Sequence, residues 1–189
     1  MKQSVLVIAL LTLSFAALGR GDINYKHRAI HKTLVKSLNL SNPQLTELTL
    51  TKDDAASMEG KFFNISCDNP DAEIKYMYIG RVNSCRAGGC SMPNPLSENG
   101  PSEYFDYLVV FNRNGEVRSV KVFNYQATHG HEVTAKGWLK QFIGYHKDDK
   151  ELEVGKTIDS ISGATISAHE ITRDIREKTQ IISKHLPSS

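Results

Sequence analysis

The sequence contains only three cysteines, and their spacing excludes several kinds of site. No two of them form the Cys-x-x-Cys pair of disulfide oxidoreductases, and no Cys-x-x-Cys-His sequence is present to attach haem. No cysteine follows the apolar run at the N-terminus either, which excludes a lipoprotein anchor at that place.

An excess of charge of one sign is also lacking. The formal net charge is +2, and the runs of Lys and Arg are interrupted by acidic residues. Nucleic-acid binding depends on a strong positive field, which this composition does not supply. We therefore expect no nucleic-acid partner.

The N-terminus carries an apolar run from Val5 to Leu18, with Lys2 ahead of it. This pattern is typical of a secretory signal spanning residues 1–19, in which Ala17 and Gly19 are the small residues before the cleavage site. The run is short for a membrane span, but an uncleaved membrane anchor is the alternative. We expect the rest of the chain to be periplasmic or on the extracytoplasmic face of a membrane.

The rest of the chain predicts a single α+β domain with a mostly antiparallel sheet packed by helices. We divide it into an N-terminal helix and linker strand, residues 20–60, and a main domain, residues 61–189. An Asn-Gly turn supplies the strongest local signal, because it permits the positive φ of a β-hairpin. The predicted elements are a helix over Asn24–Asn39, a short strand at Leu48 and Leu50, strands over Lys61–Ser66 and Glu73–Val82, a hairpin of Tyr104–Phe111 and Glu116–Tyr125, a helix over Val133–Ile143 and a final helix.

A long loop rich in Gly and Pro lies between Asn83 and Glu103. A loop of this length inside a compact domain is usually functional or mobile, and its role here stays open. In an oxidising compartment one disulfide is expected and one thiol is left over. Pairing of Cys85 with Cys90 is the first choice among three pairings; a thiol-disulfide enzyme that uses these two cysteines is a separate hypothesis.

A turn that leads into the final helix contains Gly163 and Ala164 followed by Thr165. Two small residues let the backbone approach a bulky group, and a helix N-terminus offers unpaired N–H groups and a partial positive charge. A phosphate would fit there. Asp159 is expected to cap the turn or to hold a metal ion during modification of the hydroxyl; otherwise it is only a turn residue.

The final helix has two possible start points. Ser162 could cap it early, or Ser167 and Glu170 could form a capping box that starts it near Ala168. Under the second hypothesis Thr165 lies just outside the helix, with its hydroxyl exposed on a tight turn. The alternative is that Thr165 is only a cap.

A family resemblance rests on the run Asp159-Ser160-Ile161-Ser162-Gly163-Ala164-Thr165. It resembles the flavinylation motif of FMN-binding domains, the family that includes the C subunit of the sodium-pumping NADH:quinone reductase and the G subunit of the Rnf complex. In that family a magnesium-dependent flavin transferase joins FMN by a phosphoester to the last Ser or Thr of the motif. The resemblance implies covalent FMN on Thr165, with Ser162, Gly163, Ala164 and Asp159 also at the cofactor.

A second segment, Thr128 to Glu132, follows the hairpin where the family has a Thr-Pro-Gly segment that lines the flavin. Thr128 and Gly130 match this segment, whereas His129 replaces Pro and Glu132 replaces a second Gly. The resemblance implies cofactor contacts from Thr128 and Gly130, and a hydrogen bond to the ring from His131 or the backbone. The alternatives are an ordinary polar loop, or a metal site for which no third ligand is evident.

The resemblance implies an extracytoplasmic electron-transfer flavoprotein that is an electron-carrier domain or subunit of a redox system and not a stand-alone enzyme. Its partners would be a flavin transferase for maturation and redox proteins, membrane-bound ones included. The alternative is an exported binding or structural domain that holds FMN noncovalently or lacks flavin. The replacements at His129 and Glu132 favour this alternative, and the intact turn from Ser162 to Thr165 opposes it.

Overall fold

A five-stranded antiparallel sheet is the central element of the computed structural model, which describes residues 21–86 and 102–186. Each strand pairs with the next one in the chain, so the sheet is a simple meander. This confirms the predicted α+β domain with an antiparallel sheet. The strands are β1 (Gln44–Glu47), β2 (Gly60–Ser66), β3 (Ile74–Arg86), β4 (Ser102–Asn112) and β5 (Val117–Tyr125).

Helices cover both faces of this sheet. The longest is the last one, and two of the others are single turns joined to less regular helical segments. They are α1 (Arg28–Lys32), which continues as a π-helical turn over Thr33–Ser37, α2 (Lys52–Ala56), α3 (Lys136–Leu139), which lies between 3-10 turns over His131–Thr134 and Lys140–Phe142, and α4 (Thr165–Lys184).

Alternate residues of β4 belong to two separate cores. Tyr107, Val109 and Phe111 lie in the core on the α4 side, and Leu108 and Val110 lie in the core on the α1 side. Side chains of a strand alternate between its two faces, so the uninterrupted apolar run in β4 reflects burial on both sides. The helices complete these cores with Ile30 from α1, Leu34 from the π turn that follows it, and Ile171 and Ile175 from α4.

The predicted hairpin is confirmed, and its turn is closed by the side chain of Asn112. The Oδ1 atom of Asn112 accepts hydrogen bonds from the N–H groups of Asn114 and Glu116, both at 2.9 Å. Gly115 has φ of 79°, which a residue without a side chain adopts at little cost. The strands predicted over Lys61–Ser66 and Glu73–Val82 are also present, although β3 extends to Arg86.

Three of the predicted elements differ from the observed ones. The helix predicted over Asn24–Asn39 is shorter and widens into a π turn, where the Thr33 hydroxyl donates to the Ala29 carbonyl at 2.9 Å and competes with the backbone pattern. The helix predicted over Val133–Ile143 is broken because Ala135 is extended, with φ of −63° and ψ of 122°. The short strand predicted at Leu48 and Leu50 lies earlier, because β1 ends at Glu47. These two leucines pack against the core on the α4 side.

Some of the predictions concern residues that the structure does not describe. Residues 1–19 and Cys90 lie outside the described ranges, as does most of the loop between Asn83 and Glu103, and Cys85 is described only as backbone in β3. The disulfide therefore stays a prediction. The division at residue 60 also stays a prediction, and β1 pairs with β2 across it. Within residues 21–86 and 102–186, no helix combines the length and the apolar composition needed to cross a membrane.

A buried ion pair links β3 to β4 on the α1 side of the sheet. The Arg81 guanidinium donates to the Asp106 carboxylate, with Nε 2.7 Å from Oδ1, and both side chains are almost fully buried. Asn124 donates a further hydrogen bond to Asp106 at 2.7 Å, and Arg81 donates to the carbonyl of Gly21, also at 2.7 Å. The pair thus connects three strands of the sheet, β3, β4 and β5, with the backbone of Gly21.

Replacing Asp106 by alanine should destabilise the protein strongly, because it leaves the buried Arg81 guanidinium with only the more distant carboxylate of Glu59, 3.8 Å away. Breaking a buried pair in this way costs about 3–5 kcal/mol, to be measured as the free energy of unfolding in urea. The control is Glu47→Ala, which removes an exposed pair with Lys61 and should be close to neutral. Equal effects of the two substitutions would contradict this account of the pair.

Candidate functional site

A cleft forms where the turn before α4 meets the loop after β5. Its volume is about 200 Å³, and it is lined by His129, Gly130, Gly163, Ala164, Thr165, Ile166 and Ser167. The structure therefore brings together Gly130 and the run from Gly163 to Thr165, which the sequence analysis selected separately. Four other selected residues are not among the lining residues: Thr128, His131, Asp159 and Ser162.

The turn before α4 requires a glycine at one position. The Ala164 N–H donates to the Ile161 carbonyl at 3.2 Å, and Gly163, the third residue of the turn, has φ of 81°. A type II turn has this positive φ at its third residue, which a side chain disfavours. A Cβ atom added to Gly163 would meet nothing within 4 Å, so the backbone angle and not crowding requires glycine here.

Both start points that the sequence suggested for the last helix are wrong, because α4 begins at Thr165 with Ala164 as its N-cap. Ser167 cannot form a capping box, since it is buried in the first turn and its hydroxyl lies 2.7 Å from the hydroxyl of Ser84 on β3. Thr165 therefore lies inside the helix and not before it. Its side chain is nevertheless exposed beside the cleft.

The N-terminus of α4 has unpaired donors. The first intrahelical hydrogen bond runs from the Ala168 N–H to the Ala164 carbonyl at 2.9 Å, so the three preceding N–H groups have no partner in the helix. No side chain among the described residues caps this end. Free N–H groups and the positive end of the helix dipole therefore lie at Thr165, and they fit an anionic group such as a phosphate.

The opposite wall of the cleft is the loop that contains His129 and Gly130. Tyr125 anchors this loop, and Gly130 can pack closely against α4 because it has no side chain. The Tyr125 hydroxyl donates to the His129 carbonyl at 2.5 Å, and its ring stacks on Phe105 with centroids 5.4 Å apart. A Cβ atom on Gly130 would lie 2.6 Å from the Ser167 hydroxyl oxygen, and Gly130 has φ of 86°. Burial raises the pKa of Tyr125, so the phenol stays protonated and donates.

Thr128 and His131 flank this wall without lining the cleft. The N–H of Thr128 donates to the Glu103 carboxylate at 2.9 Å, and its hydroxyl donates to the same group, so Thr128 fixes the loop to β4. His131 is exposed, and its ring lies against the edge of Tyr125 with centroids 5.1 Å apart. Residues 21–86 and 102–186 contain no group of three or more His, Cys, Asp or Glu side chains placed to hold a metal ion.

The backbone of Asp159 is fixed, whereas its carboxylate points to solvent. Its N–H donates to the Gln141 side chain at 2.9 Å, and its carbonyl accepts from the Trp138 indole at 2.8 Å. The carboxylate is exposed and has no hydrogen-bond partner among the described residues, and Ser162 is likewise exposed. Both residues are therefore accessible to a second protein that approaches Thr165.

Four residues shape the cleft in ways that sequence analysis did not predict: it missed Ser84, Glu103 and Tyr125, and it gave Ser167 the wrong role. They come from β3, from both strands of the hairpin and from α4, and no spacing in the sequence connects them. Only the periodicity of α4 gave a signal, because Ser167 falls beside Ala168 on the side that becomes buried.

Comparison with known families places the cleft inside a recognised domain. Residues 102–178 match a family model described as FMN-binding domain. No curated protein matches the chain significantly. The match confirms the predicted family resemblance and supports FMN as the cofactor, and both walls of the cleft fall within the matched residues.

Replacing Gly130 by alanine should destabilise the domain by about 1–2 kcal/mol from the positive φ alone, and by more because the new methyl group overlaps Ser167. The free energy of unfolding in urea measures this effect. Gly137→Ala is the control, since nothing lies within 4 Å of its added Cβ and α3 tolerates alanine. A Gly130→Ala protein as stable as the wild type would contradict the close contact.

Proposed function

We propose, given that residues 102–178 match the FMN-binding domain model, that this protein is an exported electron carrier that holds FMN covalently through a phosphoester on Thr165. The bound flavin would accept and donate one or two electrons, and the chain would determine its position and its electronic environment. Residues 1–19 would direct export. The protein would act with redox partner proteins and not as a stand-alone enzyme.

The observation that carries this proposal is the position of the Thr165 hydroxyl. Thr165 is an exposed residue on the first turn of α4, where it lines the cleft and lies next to backbone N–H groups that have no partner among the described residues. A phosphodiester on this oxygen keeps a negative charge, which the N-terminus of a helix stabilises by about 0.3–1 kcal/mol. The chain therefore offers both an accessible acceptor and a complementary anion site.

The size of the cleft supports a covalent attachment. Its volume of about 200 Å³ is below the roughly 300–1,000 Å³ of pockets that enclose a drug-sized ligand. A cleft of this size covers only part of a flavin nucleotide, so noncovalent contacts alone would retain it weakly. A covalent bond makes the remaining contacts intramolecular and replaces dissociation by a high effective concentration.

Ester formation requires an activated flavin donor and a transferase. Thr165 Oγ would lose its proton and form a bond to the phosphorus of the FMN unit, while the bond from that phosphorus to the leaving group of a phosphoanhydride donor breaks. The exposed Asp159 and Ser162 lie in the same segment and are available for recognition by the transferase. The ring of FMN is unchanged by this step.

The second candidate is a domain that binds FMN reversibly. It is favoured by His129, which lines the cleft where the family has a proline, and which therefore alters the surface that a flavin would contact. The two candidates differ in one property, since only a covalently bound flavin remains with the protein after denaturation.

Co-expression with a flavin transferase should give a fluorescent protein band on a denaturing gel, and Thr165→Ala should abolish that band because the acceptor oxygen is removed. Thr165→Ser keeps the oxygen and should retain labelling. Ser160→Ala is the matched control, since Ser160 is an exposed hydroxyl in the same segment. A wild-type protein without a band, alongside a control substrate that the transferase labels, would reject covalent attachment.

Gly163→Ala should slow flavin attachment without removing the acceptor. The positive φ of 81° makes any side chain unfavourable at this turn, and a penalty of about 1–2 kcal/mol corresponds to roughly tenfold slower labelling. The rate of gain of in-gel fluorescence measures the effect. Gly137→Ala should label at the wild-type rate, and equal rates for both variants would show that the turn has no part in recognition.

A further inference from the structure

A second concave site lies between α1 and the edge strand β5, on the side of the sheet that faces α1. This groove has a volume of about 580 Å³ and shares no lining residue with the cleft at Thr165. Residues 27–36 form one wall, and Lys121, Val122 and Phe123 of β5 form the other. Neither the family resemblance nor the proposed flavin attachment accounts for it.

The groove is lined by four basic side chains. Arg28, Lys32 and Lys36 lie on the helical wall, and Lys121 lies on the strand. No acidic side chain among the described residues forms an ion pair with any of them. The pKa of Lys121 is lowered, first by burial and then by the like charges of Lys32 and Lys136, so these ammonium groups repel one another. A bound anion would relieve this repulsion.

A membrane surface does not fit this site. The apolar side of α1 and of its π turn is already buried against the sheet, because Ile30 is 3% exposed and Leu34 is 1% exposed, so this segment has no free apolar face to insert into lipid. The basic side chains also line a concave groove, which a flat bilayer cannot enter. The ligand must instead be narrow enough to enter the groove.

The outer edge of β5 favours an extended polypeptide as that ligand. β5 is the last strand of the sheet, and among the described residues only Val117 uses its outer side, through hydrogen bonds with Gly144 and Tyr145. Beyond Val117, this side of β5 has no backbone hydrogen-bond partner among the described residues. An edge strand with free N–H and carbonyl groups can pair with an added strand.

The spacing of the cations matches carboxylates on such a strand. Arg28, Lys32 and Lys36 are four residues apart, which separates neighbours by about 6 Å along an α-helix and by somewhat less across the π turn. Alternate side chains of an extended strand point the same way and are separated by about 7 Å. A segment with Asp or Glu at every second residue would therefore place its carboxylates near successive cations.

We propose that the groove between α1 and β5 binds an extended acidic segment of a partner protein, which pairs with the edge of β5 and places alternate carboxylates against Arg28, Lys32 and Lys36. The backbone hydrogen bonds would supply affinity, and the cations would select acidic sequences. This proposal does not depend on flavin attachment, and it can be tested on the protein with or without FMN.

The test is a titration of a dye-labelled peptide in which Glu alternates with Thr, followed by fluorescence anisotropy. Binding should weaken about fivefold or more in the Lys32→Gln/Lys36→Gln protein, because two exposed ion pairs are lost. The matched control is Lys52→Gln/Lys150→Gln, which removes the same charge from two exposed lysines that do not line the groove. The control should bind as the wild type does.

Several outcomes would overturn the proposal. A peptide with Gln in place of Glu that binds equally well would exclude a role for the cations. An equal loss in both double variants would mean that only net charge attracts the peptide. No binding of the acidic peptide would reject the polypeptide ligand, and capture by anionic lipid vesicles or by inorganic polyphosphate in its place would assign the groove to a different anion. Circular dichroism of each variant checks that the fold is retained.

Discussion

The packing of the first turn of α4 against the sheet is the contact on which the rest of the site depends. Below that turn the Ser167 hydroxyl contacts the hydroxyl of Ser84 on β3. Gly130, in the loop after β5, also packs against Ser167. A hydroxyl pair and a missing side chain thus join three distant parts of the chain at one point. Thr165, two residues before Ser167, is thereby held at the surface on a fixed helix end and not on a mobile loop.

The same contact explains why the helix end has free donors. A serine that caps a helix must turn its hydroxyl toward the helix's own N–H groups, whereas Ser167 directs it toward Ser84. The start of α4 is therefore set by tertiary packing, which leaves Ala164 at the N-cap without a side-chain acceptor. Unpaired donors at an exposed helix end are tolerated in water, and they suit a site that receives a phosphate.

Local signals predicted the parts of the structure that local chemistry determines. The Asn-Gly hairpin and the Gly163 turn follow from the backbone angles that those residues permit, and both are present. The helix start was missed because the competing partner of Ser167 comes from β3, more than eighty residues earlier in the chain. The basic groove could not be predicted either, since α1 and β5 are far apart in the sequence and come together only in the folded protein, where Arg28, Lys32 and Lys36 line one wall of the groove.

β5 lines the groove and the loop that follows it lines the cleft, so the length of this one segment limits how far apart the two sites can be. Phe123 in the groove and Gly130 in the cleft belong to the same short stretch of chain, whose full extension is at most about 25 Å. A protein seated on the strand would therefore stay within a small domain's width of any redox group on Thr165. The segment from Phe123 to Gly130 would then limit the distance between the electron carrier on Thr165 and a protein that exchanges electrons with it.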